Sequence, residues 1–293
     1  MARMVAALQY FRMGKEDNWG EGKGATEAWT GIAPEEFEFG LKADVADARE
    51  FVGSFQRKWA GTTGLNLRGR MKMEITPANA QLLLGWACNR TNGELTSYEI
   101  QRYTGQEYLS YTGVKVNRAS IEASVDSAEL MIDVDLIGKG EAVCGSFDAP
   151  DVEAGSPFGL SEATVYFGED DANYFAEGEC RRVRIEIDNN LRAGRHGEGY
   201  LIQWLDAGAE RVEVLVGARL ARSTYRDWLR GTKQDMAFKV VFGHAGTGTS
   251  LTIELPYVVV RSVGYEGRGA ELIDVVIEGE AWKAGSKDVI VVV

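Results

Sequence analysis

Side chains able to carry out chemistry are few and scattered in this 293-residue chain. Its two histidines, His196 and His244, lie in the glycine-rich stretches GRHGEG and GHAGTG, with no cysteine or carboxylate at ligand spacing, and both read as loop residues. Glu169-Asp170-Asp171 could gather a cation, but it lacks the spaced oxygen ligands and turn glycine of an EF-hand loop and reads as a solvated acidic loop. With Glu177 and Glu179 it is the best location for an unrecognised acidic active site. Gly20-Glu-Gly-Lys-Gly24 has the glycines of a phosphate loop, yet no Ser or Thr follows Lys23 and no strand signal precedes it. The run Gly243–Thr249 falls between two strand signals and reads as a hairpin loop. No Gly-x-Ser-x-Gly elbow and no Cys–His pairing is present. No catalytic, cofactor-binding or metal-ligating residue is therefore assigned, no cofactor is expected, and the chain is expected not to be an enzyme.

The composition describes the body that these residues decorate. Hydrophobic residues make up 45% and aromatics 10%, enough for a packed core and against disorder. Five prolines against 35 glycines suit many strands joined by tight turns. The net charge of −12 argues against wrapping nucleic acid, which needs a basic face to neutralise phosphates. Cys88, Cys144 and Cys180 are odd in number and lack metal spacing, which fits reduced thiols better than a disulfide framework. The apolar stretch before Arg12 is too brief for a secretory signal, and no run is long enough to span a membrane as a helix.

Strand signals dominate. Leu67–Ile75 alternates, with Leu67, Met71, Met73 and Ile75 on one side and Arg68, Arg70, Lys72 and Glu74 on the other. Val183–Ile187 and Val212–Val214 alternate likewise. Further β-rich runs are Thr96–Tyr103, Tyr111–Val116, Ala119–Val125, Leu130–Ile137, Ala237–Phe242, Thr249–Leu255, Tyr257–Val263, Leu272–Ile277 and Val289–Val293. Two helices interrupt them. One is expected over 77–88, with Thr76 as cap, Pro77 first, Ala80, Leu83, Leu84 and Ala87 as its apolar stripe, and Asn89 as stop. The other is expected near 224–230, with Ser223 as cap, Tyr225, Trp228 and Leu229 as stripe, and Gly231 as stop.

The chain also repeats itself faintly. A displacement of about 142 residues brings Trp86 onto Trp228, Leu109 onto Leu251, Val116 onto Val258, Ser120 onto Ser262 and Ala128-Glu129-Leu130 onto Ala270-Glu271-Leu272. A one-residue slip then aligns Ile132-Asp133-Val134 with Ile273-Asp274-Val275, which predicts a β-bulge near Met131 to absorb the extra residue. The expected fold is mainly β (α+β): two similar β-sandwich or partly open barrel domains, each with one flanking helix. The expected organisation is an irregular N-terminal arm over 1–34, a first domain over 35–144, a linker over 145–172 and a second domain over 173–293. Such irregular stretches are either mobile or ordered by packing on another subunit.

One ordering of motifs resembles a known family. Gly14-Lys15-Glu16 and Trp19-Gly20 precede the amphipathic strand, Thr76-Pro77 and the Leu82-Leu83-Leu84 helix. Val114-Lys-Val-Asn117, Ser120-Ile-Glu-Ala-Ser124 and Val134-Asp-Leu-Ile-Gly138 follow. This order, over roughly 10–140, resembles the tail tube (major tail) proteins of long, flexible-tailed bacteriophages. The resemblance implies a structural virion protein whose rings stack into a tail tube, a conduit through which DNA is ejected without specific binding. It implies tape-measure and tail terminator or tip proteins as partners, assembly in the host cytoplasm, no membrane and no cofactor. Because single-domain members form six-membered rings, a duplicated chain implies a trimer with pseudo-sixfold symmetry, the alternative being a hexamer with the second domain outside. The rival readings are a β-sandwich binding or adhesion module, and an enzyme using the acidic residues named above.

Overall fold

In the computed structural model, the described residues are 9–48, 59–91, 93–125, 127–152, 155–168, 173–194, 202–221, 235–244, 246, 248–266, 272–282 and 290–292. The first half contains β1 (Tyr10–Lys15), β2 (Thr30–Ile32), β3 (Glu36–Ala48), β4 (Trp59–Glu74), helix α1 (Ala80–Cys88), β5 (Arg90–Thr91), β6 (Glu94–Leu95), β7 (Tyr98–Tyr103), β8 (Tyr108–Ser124), β9 (Met131–Gly138) and β10 (Gly140–Val143). The second contains β11 (Ala163–Gly168), β12 (Tyr174–Asp188), β13 (Arg192–Gly194), β14 (Trp204–Asp206), β15 (Arg211–Ala221), β16 (Asp235–His244), β17 (Thr249–Glu266), β18 (Leu272–Ala281) and β19 (Val291–Val292). The molecule is mainly β, as its alternating runs require.

Backbone pairing expresses the repeat more clearly than residue identity does. The second half forms a closed six-stranded barrel in the order β11-β16-β17-β18-β15-β12, with β12 returning to β11. The first half pairs β1-β7-β8-β9-β4-β3 in the same order. Its return to β1 is made by β2, where Phe11 pairs Ile32 and Met13 pairs Thr30. The equivalent ladder in the second half pairs Val165 with Gly178 and Phe167 with Ala176. β2 and β3 thus do together what β12 does alone. Pro34, which can neither donate to a ladder nor leave its neighbour free, lies in the break between them. At the same place β12 carries a bulge between Cys180 and Arg182. β10 lies beside the start of β8 as β19 lies beside the start of β17.

Two further irregularities coincide. β8 shifts register on β9 between Val116 and Arg118, and β17 shifts on β18 between Val260 and Ser262. Likewise β7 shifts on β8 between Tyr98 and Ile100, and β16 on β17 between Met236 and Phe238. Through these ladders Tyr111 is equivalent to Leu255, Val116 to Val260 and Ile121 to Tyr265. The expected displacement was therefore two residues short on this strand. An even error preserves which side chains point inward, so the face assignment survived it.

Other expectations are corrected. No bulge occurs at Met131: β4 pairs β9 without a shift from Leu67↔Gly138 to Glu74↔Met131. The odd residue sits in the connecting turn, because Glu122 pairs Met131 whereas Glu266 pairs Asp274, one residue sooner. Tyr111–Val116 and Ala119–Val125 belong to one long strand bent at Asn117, not two. The N-terminal arm and the linker are not wholly irregular, since they supply β1, β2 and β11. The described part of the linker packs on its own chain: the Phe158 amide donates to Ile75 O and its carbonyl accepts from Leu130 N. Helix α1 begins at Ala80, after a turn in which Thr76 and Asn79 exchange side-chain-to-backbone hydrogen bonds. Its predicted stripe of Ala80, Leu83, Leu84 and Ala87 is buried, and Trp86 is 0% exposed with its indole N–H directed to Val114 O. The second predicted helix, including Trp228, lies outside the described residues.

The barrels share an edge as well as a core. β12 of the second pairs antiparallel with β8 of the first over Arg118–Ser124, placing Ile185 opposite Ile121 and Ile187 opposite Ala119. The result is one antiparallel sheet in the order β3-β4-β9-β8-β12-β15-β18-β17, four strands from each half. A single apolar cluster runs beneath it from Phe11 to Ile290. A polar knot holds the seam where β8 bends. Buried Asn189 donates its side-chain amide to Ala87 O and Val116 O, and its backbone N–H to Asn117 O. Arg90 completes the knot by donating to Asn189 Oδ1 and Gly208 O.

Candidate functional site

The most extensive chemical feature is the outer face of that sheet. Over Ile132–Leu136 of β9, Ala119–Ala123 of β8, Val183–Ile187 of β12 and Arg211–Val214 of β15 every second side chain is buried, and those between them are polar: Asp133 and Asp135, Ser120 and Glu122, Arg184 and Glu186, Arg211 and Glu213. Strict alternation over a half-buried sheet forces this division. The polar members line a depression of about 900 Å³ reaching from Arg70 and Lys72 on β4 to Glu213 on β15. It contains five cationic and six carboxylate side chains.

These charges are arranged in pairs across the strands. Arg70 donates from Nε and Nη2 to the two carboxylate oxygens of Asp133, and that carboxylate raises the Arg70 pKa further. Arg118 lies 3.2 Å from Asp188, and Glu122 accepts from Arg182 at 3.4 Å with Arg184 at 3.9 Å. Farther along, Arg211 is 2.6 Å from Glu213 and 3.2 Å from Glu280, and Arg261 joins the same two carboxylates. Arg219 closes on Asp274 at 3.0 Å. Each exposed pair is worth little to stability, on the order of 0–1 kcal/mol. Their collective effect is electrostatic: the arginines spend their charge on neighbouring carboxylates.

The N-terminal motif residues have a structural role. Glu16 is buried, its carboxylate accepting from the Gly20 and Gly113 amides at 2.9 and 2.8 Å. Trp19 donates to Gly113 O at 2.8 Å, and Gly113 has φ +67°, where a Cβ would strike the indole. Gly20–Gly24 therefore belongs to a loop folded onto β8. A strand, β1, does precede it, contrary to expectation, but that strand runs on into the Glu16 anchor.

The predicted candidates do not converge. His244 ends β16 opposite Thr249, where it is not a loop residue, with Nε2 3.0 Å from Ser156 O and its ring edge-on to Phe158. Glu179 is an exposed ladder residue 3.2 Å from Arg181 and 3.8 Å from Arg219. His196, Glu169, Asp170 and Asp171 lie outside the described residues, as does the side chain of Glu177. Cys88, Cys144 and Cys180 are free thiols, and burial pushes Cys180 up to about 12. No helix among the described residues is long and apolar enough to cross a membrane. Sequence reasoning missed the charged lattice because its members are dispersed as alternate residues over seven strands. Only the cross-strand register brings them together.

No curated protein matches the chain. The sequence model of the family described as "Phage tail tube protein" matches residues 6–281, nearly the full length and both barrels. The chain belongs to the phage tail tube protein family and is a structural protein of the virion tail.

Proposed function

We propose that three chains close into a ring in which first and second barrels alternate, giving threefold and approximate sixfold symmetry, and that such rings stack into the tube. The observation carrying this reading is the eight-stranded sheet built from two equivalent quartets. In this reading the charged face lines the bore. A hexamer with the second barrel outside would remove half of this continuous face from the lumen. The organisation proposed is an arm over 1–34, tube units over 35–144 and 173–293, and a linker over 145–172, with β1, β2 and β11 lent to the barrels by arm and linker. Fusion makes half of the ring contacts intramolecular and raises the effective concentration of neighbouring units. Assembly takes place in the host cytoplasm, with tape-measure and tail terminator or tip proteins meeting the rings, and DNA passes without specific binding.

The symmetry of rings in a single-particle reconstruction tests the arrangement, and six chains per ring would overturn the trimer. A gel shift tests the bore. The native chain should not retain duplex DNA at physiological salt, because its arginines are already paired. Glu122→Gln, Glu186→Gln and Glu213→Gln together should leave Arg182, Arg184 and Arg211 short of partners and produce retention that weakens as salt rises. Tight, salt-dependent retention by the native chain would contradict the conduit.

A further inference from the structure

We infer that the outer edge of β3 in one chain pairs antiparallel with the second half of β17 in a second copy, with Leu41 opposite Val263 and Lys42 opposite Ser262. This rests on the ring reading above and specifies the surface that closes the ring. The internal seam supplies the template. In it the second-half edge of β8 receives β12, with Ile187 opposite Ala119 and Asp188 opposite Arg118. The ladders make β3 the equivalent of β12: Leu41 pairs Leu67, which pairs Gly138, as Ile187 pairs Val212, which pairs Ala281. They make β17 the equivalent of β8, with Val263 in the place of Ala119 and Ser262 in the place of Arg118.

Both edges are left open. Among the described residues, β3 pairs only β4, and the Val260–Glu266 portion of β17 pairs only β18, so each exposes a row of backbone donors and acceptors. Leu41 stands 40% exposed where its equivalent Ile187 is 1% exposed under the neighbouring barrel. A second copy bringing β17 to β3 would cover it. The contact is head-to-tail, so one chain's open β3 and open β17 are satisfied by two different neighbours, and the series closes as a ring. Backbone bonding supplies the attachment, as in strand addition to a sheet edge. The new junction would lack the knot of the internal seam, because Arg261 and Ala43 stand where Asn117 and Asn189 do.

Paired cysteines read the register. Directly opposed residues in an antiparallel ladder have Cα atoms about 4.5–5.5 Å apart, within reach of a disulfide. In full-length chain carrying Cys144→Ala, with Cys88 and Cys180 buried, Lys42→Cys/Ser262→Cys should give near-complete loss of the monomer band on a non-reducing gel after mild oxidation of assembled protein. Lys42→Cys/Val263→Cys, whose side chains leave opposite faces, should remain monomeric. If the first pair impairs assembly, Gly40→Cys/Gly264→Cys probes the same ladder, since a Cβ at either glycine comes no closer than 3.9 Å to its surroundings. Rings or tubes in negative stain with neither opposed pair cross-linking would overturn the junction and leave the ring reading standing. Failure of the native chain to form rings or tubes would overturn the ring reading, and the junction with it.

Discussion

The first barrel and the second share a strand order, two bulge positions and a flanking edge strand, yet few residues at equivalent positions are the same. Met13 stands for Phe167, Ile100 for Phe238, Tyr111 for Leu255 and Leu67 for Val212. All eight are buried and apolar. What persists is the inward apolar period and the places where that period slips. The barrels differ most where they meet their surroundings. One runs its closing strand continuously through β12, and the other breaks it at Pro34. One lends the edge of β8 to its sister, and among the described residues the other leaves the edge of β17 open. A duplicated core tolerates exchange of one apolar side chain for another of suitable size. Edges are held to a partner, so there the copies have specialised.

The comparison is broken most severely by deleting a residue from the regular part of β8. Removing Ser120 would turn Glu122 and Ser124 toward the core in place of Ile121 and Ala123. That deletion should cost a large share of the total stability of about 5–15 kcal/mol and abolish soluble, folded protein by circular dichroism. Removing Asn117, the extra residue of the bulge, leaves Arg118 opposite Asp135 and Ala119 opposite Val134, and should cost far less. Equal damage from the two deletions would mean that Asn117 is not the residue the bulge adds.

A smaller test is Ile100→Ala against Phe238→Ala. Both side chains are buried at matching ladder positions, and each change should cost about 2–5 kcal/mol. Because one apolar cluster spans both barrels, calorimetry should give a single transition lowered by either substitution. Two transitions, one of them unmoved, would show barrels that unfold separately. The mildest change is Pro34→Ala. It restores a backbone donor beside β3 and should move stability by less than about 1 kcal/mol, and a larger loss would assign Pro34 a role beyond interrupting the strand.

Most of the fold was legible where one face was buried and the other wet. Leu67–Ile75, Val183–Ile187 and the stripe of α1 declared themselves by period alone. β3 was legible too, since Phe37, Phe39 and Leu41 alternate with Glu36, Glu38 and Gly40, yet it went unrecognised beside the irregular arm. β1 and β11 are short and carry their pattern over six residues each, too few for periodicity to separate from chance. The repeat was visible only as a smear of identities, because selection on a core acts on volume and polarity more than on residue identity. The charged lattice was not legible at all. Arg184 and Glu122 are far apart in sequence and adjacent only after β12 has found β8.

The paired charges on the sheet have a mechanical consequence. A uniformly acidic wall would push a polyanion toward the axis, with a force that rises and falls with ionic strength. A uniformly basic wall would brake it. A wall of alternating, mutually satisfied charges does neither at distances beyond a few ångströms, because neighbouring dipoles cancel and salt has little left to screen. It also stays open to hydration, since the paired guanidinium and carboxylate groups are in large part exposed on their outer side. Where that wall faces a moving strand, drag is set by the shearing of bound water, and transit speed should be nearly indifferent to the salt concentration around it.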